Sequence, residues 1–571
     1  MRTYQEQKVQ RKRIFILSVI SLILGAGLIA RLFQIQVIEH DKYRAEAEKQ
    51  HWTQQEIPAR RGGIYVKNKN GEKYPLATNT TLHLVYAVPP QIKDKDKATK
   101  DMASILNLKE DEVKKDISDD QRLYIIIKHK ISDEEAAKIK QLGTTGISLA
   151  PEPQRVYPEK SLAANILGFT NNDGQGQYGI EGYFDKELKG KPGIIKAEKD
   201  VSGNLISWNG MDLNPSNNGD DIVLTIDRNV QYKVEQILDK AVKKHGADSG
   251  SIIVTEPKTG KIIAMACYPS FDPNNFSQVG NMDLFKNSNV SNVWEPGSIF
   301  KIITMAAALN EGKVTPDTTY NDTGSVSVGG HTIRNSDNKA HGIQTMTQVL
   351  EQSLNTGAIF AKNQIGNQVF YNYLKNFGFG VPTGITLDGE SGGDIPPFNE
   401  WQEASFATAA FGQGIAITPL QMSTAVSTIA NGGKMMQPQI IEEVDHPDGK
   451  KEKIEPKVIR QVISPSTAAA LGGMMVQVVE KGHGYQAQIP GYYIAGKTGT
   501  AQIPLSTGLG YASNKTIGSF AGFAPVNDPK FAILVKIDVP RDVIWAESSA
   551  APVFGEVANE LLNYYKIPPS R

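Results

Sequence analysis

Apolar positions are distributed unevenly along this chain. From Ile14 to Ala30 there is no charged residue, and apolar character resumes after Arg31 with Leu32, Phe33, Ile35, Val37 and Ile38. The run reaches the ~20 residues that a membrane-spanning helix needs, and it predicts a span at residues 14–36. Beyond it the pattern becomes mixed. "RRGGIYVKNKNGEKYPLA" reads as strand, Asn-Gly turn, strand. "KDKDKATKDMASILNLKEDEVKKDISDDQ" predicts exposed amphipathic helices, and "SDEEAAKIKQLG" opens with a capping box from Ser132 to Glu135 and stops at Gly143.

A second pattern begins after the polar, turn-rich "NPSNNGDD" at Asn214 to Asp221. "IVLTIDRNVQYKVEQILDKAVKKHG" predicts a strand, a cap at Asp227 and a helix, and "GSIIVTEPKTGKIIAMA" a hairpin about a Lys-Thr-Gly turn. "WEPGSIFKIITMAAAL", Trp294 to Leu309, follows a Pro-Gly break with a helix apolar on nearly every side. Such a helix belongs in a core, with Ser298 as its cap. Strand-like runs return in "SFAGFAPVNDPKFAILVKIDVP". Strands at both ends with helices between them predict one sheet shared by the two ends of an α+β domain. The organisation expected is a tail at 1–13, the span at 14–36, a module at 40–220 and a second at 221–571.

Charge narrows the functional classes. The 61 basic and 61 acidic residues balance, so nothing directs the chain to nucleic acid. One cysteine, Cys267 in "KIIAMACYPSF", excludes an intramolecular disulfide and reads as a small buried core residue. Neither it nor the nine histidines form a metal-spaced cluster, so no metal or cofactor is expected. Arg2, Lys8, Arg11, Lys12 and Arg13 against Glu6 precede the apolar run. That asymmetry keeps the tail in the cytoplasm and puts everything after about residue 40 outside. A cleaved signal peptide would carry a shorter apolar core and an A-x-A site. No later stretch is apolar enough to cross back.

Lys301, the lone charge in the buried helix, falls three residues after Ser298 and so on the same face. Two readings follow. Its head snorkels to water, or burial disfavours the ammonium and leaves an amine able to take the serine's proton. Ser-x-x-Lys recurs at Ser336 ("SDNK"), in a wholly polar loop. Ser-x-Asn occurs several times, including at Ser353 ("SLN") and Ser202 ("SGN"), and Lys-Thr-Gly occurs at Lys258 and Lys497. The Lys258 copy is the hairpin tip; the Lys497 copy, in "YYIAGKTGTAQI", reads as an extended strand where glycine permits close approach.

The ordered set Ser298-x-x-Lys301, Ser353-x-Asn355, Lys497-Thr498-Gly499-Thr500 resembles the motif triplet of penicillin-binding proteins and serine β-lactamases. "WEPGSIFK", "SLNTGA", "FGQGIAITPLQM" and "IAGKTGTAQ" look like the penicillin-binding transpeptidase domain, a resemblance covering roughly the last 350 residues. "RRGGIY", "VYPEKSLAANILGF" and the anchor resemble class B members, whose non-catalytic, dimerisation-type pedestal of mixed α/β structure precedes the catalytic domain. "GFTNNDGQGQYGIEGYFDKELKGKPG" is closest to the septal, FtsI-like branch. Trp294, Ile299 and Leu354 depart from the commoner residues, and none removes a reacting group.

The resemblance implies a fold and a chemistry. The fold is an antiparallel sheet with helices, as in serine β-lactamases. Ser298 would attack the penultimate D-alanine carbonyl of a peptidoglycan stem peptide, releasing the terminal D-alanine, and an amine of a neighbouring stem would take the acyl group. Lys301 would be the base. Ser353 would relay a proton to the leaving amine beside Lys497, and Asn355 would bond the substrate amide. Thr498 and Thr500, flanking Gly499, would hold the donor carboxylate, and the amides of Ser298 and Thr500 would form the oxyanion hole. β-Lactams would inhibit. A SEDS-type glycan polymerase (FtsW-like) and division proteins would be partners, at the septum of a bacterial cell membrane. The plainer alternatives are local hydrogen bonding for Ser353 and Asn355 and an exposed strand charge for Lys497. Glu390 and Asp394 read as loop carboxylates. An elongation-type transpeptidase, a hydrolytic β-lactamase or carboxypeptidase, a β-lactam sensor and an inactive scaffold are the rival functions.

Overall fold

The structure is a computed structural model describing residues 4–44, 52–57, 59–122, 124–198, 212–504 and 510–571. Arg2 and the Ser202 copy of Ser-x-Asn lie outside the described residues. By compactness the chain forms two units, one of Met1–Arg60 with Gly190–Asn218 and one of Arg61–Lys189 with Gly219–Arg571.

The first unit contains the apolar helix Tyr4–Phe33, continued by a π-helical turn at Gln34–Ile38. The most apolar 18-residue window of the segment Lys8–Ile38 has a mean hydropathy of 2.3, and none of it is buried. It is long and apolar enough to serve as a single membrane anchor. The same unit has a three-stranded antiparallel sheet of Trp52–Ile57, Gly193–Glu198 and Asp212–Asn214.

In the second unit the local signals act where they occur. Ser132 and Glu135 close the capping box of Asp133–Leu142, which ends at Gly143 in the left-handed conformation. Helices Lys95–Leu106 and Glu110–Ser118 bury Met102, Leu106, Val113 and Ile117. A seven-stranded sheet runs Lys451–Lys453, Ile441–Asp445, Asp221–Asp227, Ile64–Lys67, Lys73–Ala87, Ile125–Ile131, with Ile147–Val156 also paired to Lys73–Ala87. Strands from either side of residue 220 therefore hydrogen-bond in one sheet, and Ile222 lies parallel to Ile64.

The sheet that carries the motifs has five antiparallel strands: β1 (Ser249–Thr255), β2 (Ile262–Tyr268), β3 (Ala495–Pro504), β4 (Tyr511–Ala524) and β5 (Phe531–Asp538), in the order β2-β1-β5-β4-β3. Early and late strands meet, as the run of elements predicts. β5 is buried on both faces, and its alternation assigns each residue a side. Phe531, Ile533, Val535 and Ile537 pack with helices α1 (Arg228–His245) and α6 (Ala550–Tyr564). Ala532 and Leu534 join the opposite core, built on α2 (Lys301–Asn310), α3 (Asn355–Ile365), α4 (Pro419–Ala430) and α5 (Pro465–Lys481). Asp227 caps α1 by accepting from the amides of Asn229 and Val230. Cys267 is half-buried on β2 instead of filling a core position. Its thiol sits 3.2–3.3 Å from Asn287, Ser288 and Asn289, because the polar turn at 287–289 closes over the strand end.

Candidate active site

The apolar helix holds its serine differently from a simple cap. Gly297–Phe300 forms one 3-10 turn and α2 begins at Lys301, with no side-chain cap on either element. Ser298 is thus not the N-cap, and its hydroxyl is not consumed in closing the helix. Gly297 makes the entry possible with a φ of +58°, a left-handed conformation that glycine adopts freely. Its amide donates to the Gly412 carbonyl at 3.0 Å. Glu295, just upstream, accepts from the Gly414 amide at 3.0 Å and from the Tyr511 hydroxyl at 3.2 Å. The turn carrying Ser298 is therefore tied to the 412–414 loop.

Lys301 is 1% exposed, which decides between the two sequence readings: its head does not snorkel. Burial, and then the neighbouring charge of Lys497, push its pKa well below the ordinary lysine value. The amine is directed to the second motif. Nζ donates to the Ser353 carbonyl at 2.5 Å and to Ser353 Oγ at 3.2 Å. No hydrogen bond joins it to Ser298 among the described residues, although only three positions separate the two in sequence.

Ser353 terminates the helix Met346–Glu351. Its amide bonds the Leu350 carbonyl, the Leu354 amide bonds the Val349 carbonyl, and Ser353 itself has φ +58°. That is a Schellman ending with serine in the place glycine usually takes. The reversal lets the chain stop one helix, present the serine side chain and start α3 at Asn355. Asn355 Nδ2 donates to the Arg334 carbonyl at 2.8 Å. This orients the amide and leaves its oxygen available as an acceptor.

The third motif lies on β3, which pairs with β4 along one side and forms the edge of the five-stranded sheet. Lys497 is fully buried, so the exposed-charge reading does not hold. Desolvation takes its pKa down to about 7. Its Nζ donates to Ser353 Oγ at 3.0 Å and to the Thr498 carbonyl at 3.0 Å. Thr498 is buried, and Thr500 Oγ1 accepts from the Ala546 amide at 3.1 Å. A Cβ on Gly499 would lie 2.6 Å from Ser519 Oγ, 2.9 Å from Ile299 Cγ2 and 3.0 Å from the Pro296 carbonyl oxygen. Glycine is what lets the strand pack against the serine's turn.

The structure thus brings Lys301 and Lys497 onto one hydroxyl, Ser353 Oγ, with Ser298 one turn from Lys301 and β3 against its turn. Two cations so close repel and lose hydration on burial, which favours neutral amines able to exchange protons through the hydroxyl. Among the described residues neither decoy hydrogen-bonds to this cluster. Lys258 pairs with Asp528 on the surface, and Ser336 lies in a loop. Glu390 accepts from the Thr383 amide and hydroxyl, a loop role. Sequence reasoning missed Asn335, Asp322 and Glu295. Asn335 directly precedes the dismissed "SDNK", whose polar character was the only signal available. Among the described residues no group of histidine, cysteine or carboxylate side chains could hold a metal.

Residues 250–562 match the penicillin-binding protein transpeptidase domain, and residues 56–224 the penicillin-binding protein dimerisation domain. Stage V sporulation protein D of Bacillus subtilis is 35% identical over 98% of this chain and 87% of its own length. Peptidoglycan D,D-transpeptidase FtsI of Escherichia coli K12 is 31% identical over 96% and 91%. Penicillin-binding protein 3 of Mycobacterium tuberculosis, solved with aztreonam, superposes with a TM-score of 0.70 at 28% identity, covering 90% of this chain and 98% of that one.

Proposed function

The chain belongs to the penicillin-binding protein transpeptidase family, as a class B member and serine-type peptidoglycan D,D-transpeptidase, and on that premise we propose how its residues divide the reaction. Ser298 Oγ attacks the penultimate D-alanine carbonyl of a donor stem peptide. Its proton passes to the neutral amine of Lys301. The tetrahedral intermediate collapses by breaking the bond to the terminal D-alanine nitrogen, which receives a proton from Ser353 Oγ, and Ser353 is replenished from the lysines. The acyl group then rests on Ser298. An amine of a second stem attacks that ester, loses a proton along the same relay, and returns Ser298 to its hydroxyl form. Thr498 and Thr500 hold the donor carboxylate, the oxygen of Asn355 takes a substrate N–H, and the amides of Ser298 and Thr500 face the oxyanion.

The observation that carries this reading is the convergence of two buried lysines on Ser353 Oγ, at 3.2 and 3.0 Å. A β-lactam should leave an acyl adduct on Ser298 alone. Ser298→Ala should abolish it, Ser336→Ala should leave it intact, and Lys301→Arg should slow it by at least ~10², because guanidinium stays protonated. Peptide mass spectrometry locates the adduct. An adduct on Ser336, or near-normal acylation by Lys301→Arg, would overturn the assignment.

For cellular role we propose septal cross-linking. The anchor keeps a short tail in the cytoplasm, residues 40–220 act as pedestal, residues 221–571 work outside, and an FtsW-like polymerase supplies glycan. The name of the Escherichia coli relative and the basic flank of the anchor support this. A second reading, a sporulation role, draws on the name of the Bacillus subtilis relative. A fluorescent fusion at mid-cell in growing cells supports the first, signal confined to sporulating cells the second, and uniform lateral signal neither.

A further inference from the structure

A buried polar chain runs from a strand end to the second motif. Asp322 closes the strand Thr319–Asp322 and is 2% exposed, as is Asn335. One Asp322 oxygen accepts from the Gly324 amide at 3.0 Å and from Thr356 Oγ1 at 2.7 Å. The other accepts from Asn335 Nδ2 at 2.9 Å and from the His341 amide at 3.0 Å. These four bonds hold the carboxylate ionised despite burial, and its pKa lies below the ordinary aspartate value. Asn335 Nδ2 also donates to the Lys339 carbonyl, so its amide has one orientation. Its oxygen accepts from the amides of Asn355 at 2.9 Å and Thr356 at 3.2 Å.

Those two amides open α3, and helix-opening N–H groups have no partner within the helix. The residue in the cap position is Leu354, which offers no acceptor. Asn335 supplies it instead, from 20 residues upstream. The bond lands two residues after Ser353, whose left-handed backbone is costly for a serine and needs support on both sides. Arg334, adjacent to Asn335, takes the Asn355 side chain on its carbonyl. One short segment therefore sets both the backbone and the side-chain amide of Asn355.

We propose that Asp322 and Asn335 are positioning residues for transpeptidation: Asp322 orients Asn335, and Asn335 holds the Ser353–Asn355 segment where the two lysines and the substrate amide meet it. The inference rests on the Ser353 relay proposed above. Displacing reacting groups by about an ångström costs up to ~10²-fold in rate, which sets the expected scale. Neither residue reaches Lys301 or Lys497 in any hydrogen bond among the described residues, so the lysines should titrate as before.

Single-turnover acylation of the full chain by a fluorescent penicillin, at temperatures well below melting, separates the acylation step from initial binding. Asp322→Asn and Asn335→Ala should each slow the acylation step by at least ~10-fold with an unchanged pH profile. Together they should be no slower than the worse single variant, because residues acting in series are not additive. A merely structural role lowers the melting temperature and leaves the step in the folded protein untouched. Asn335→Gln, which keeps amide chemistry but moves it by one methylene, should fold and still be slow, covering the case in which either first variant fails to fold. An acylation step within twofold of the wild type in the folded variants, or additive losses, would overturn the inference. Wild-type protein that is not acylated on Ser298 would instead overturn the reading beneath it.

Discussion

Ser353 combines an awkward backbone with a reactive position, and two substitutions separate the pair. Both Ser353→Ala and Ser353→Gly remove the hydroxyl that accepts from Lys301 and Lys497. They differ only in the backbone at φ +58°. Alanine keeps the left-handed penalty of about 1–2 kcal/mol, and glycine escapes it. Glycine adds about 0.5–1 kcal/mol of chain entropy to the unfolded state. The net expectation is that Ser353→Gly is the more stable variant by about 0.5–1 kcal/mol, inverting the usual order inside regular structure. At roughly 2 °C per kcal/mol for a domain of this size, calorimetry should separate them by one to two degrees. Acylation by penicillin should fall equally in both, by at least ~10², since neither has a relay oxygen. An alanine variant as stable as the glycine variant would refute the backbone argument. Near-normal acylation in either would refute the relay.

Two more outcomes follow from the same cluster. The pKa of Lys497 is lowered by burial from 10.5 to about 7, so between those values the unfolded chain holds a proton that the folded one lacks. Stability from this group is least below pH 7 and rises as pH climbs through the window, by on the order of 5 kcal/mol for a single proton. Melting temperatures from pH 7 to 9.5 should climb more steeply for the wild type than for Lys497→Met, and parallel curves would refute the assignment. Gly499→Ala should push β3 off the serine's turn, costing about 1–3 kcal/mol through overpacking and slowing acylation. A fully stable, fully active alanine variant would show that the packing there yields.

Much of this molecule is legible without coordinates because the controlling signals are local. A capping residue acts within a turn of itself, so the side chains of Asp227 and Ser132 and the left-handed backbone of Gly143 bound their helices where they stand. An apolar run of membrane length needs no partner to be read. The ordered motifs single out Ser298, Lys301, Ser353, Asn355 and the 497–500 segment from their decoys, since a polar "SDNK" and a helix-borne "SIFK" differ in hydrophobic context alone. What sequence spacing could not supply is direction. The three-residue interval suggests that Lys301 faces Ser298; the folded chain turns its amine to Ser353, which the reversal after the helix Met346–Glu351 presents to it. Asn335 is illegible for a related reason. Its neighbours in sequence form a polar loop, and its role appears only when strand pairing from Thr319 to Thr345 returns that loop to the start of α3. Burial of Lys497 is likewise a property of the sheet: a strand lysine is ordinarily exposed, and only the packing of β3 against the core and the serine's turn removes it from water.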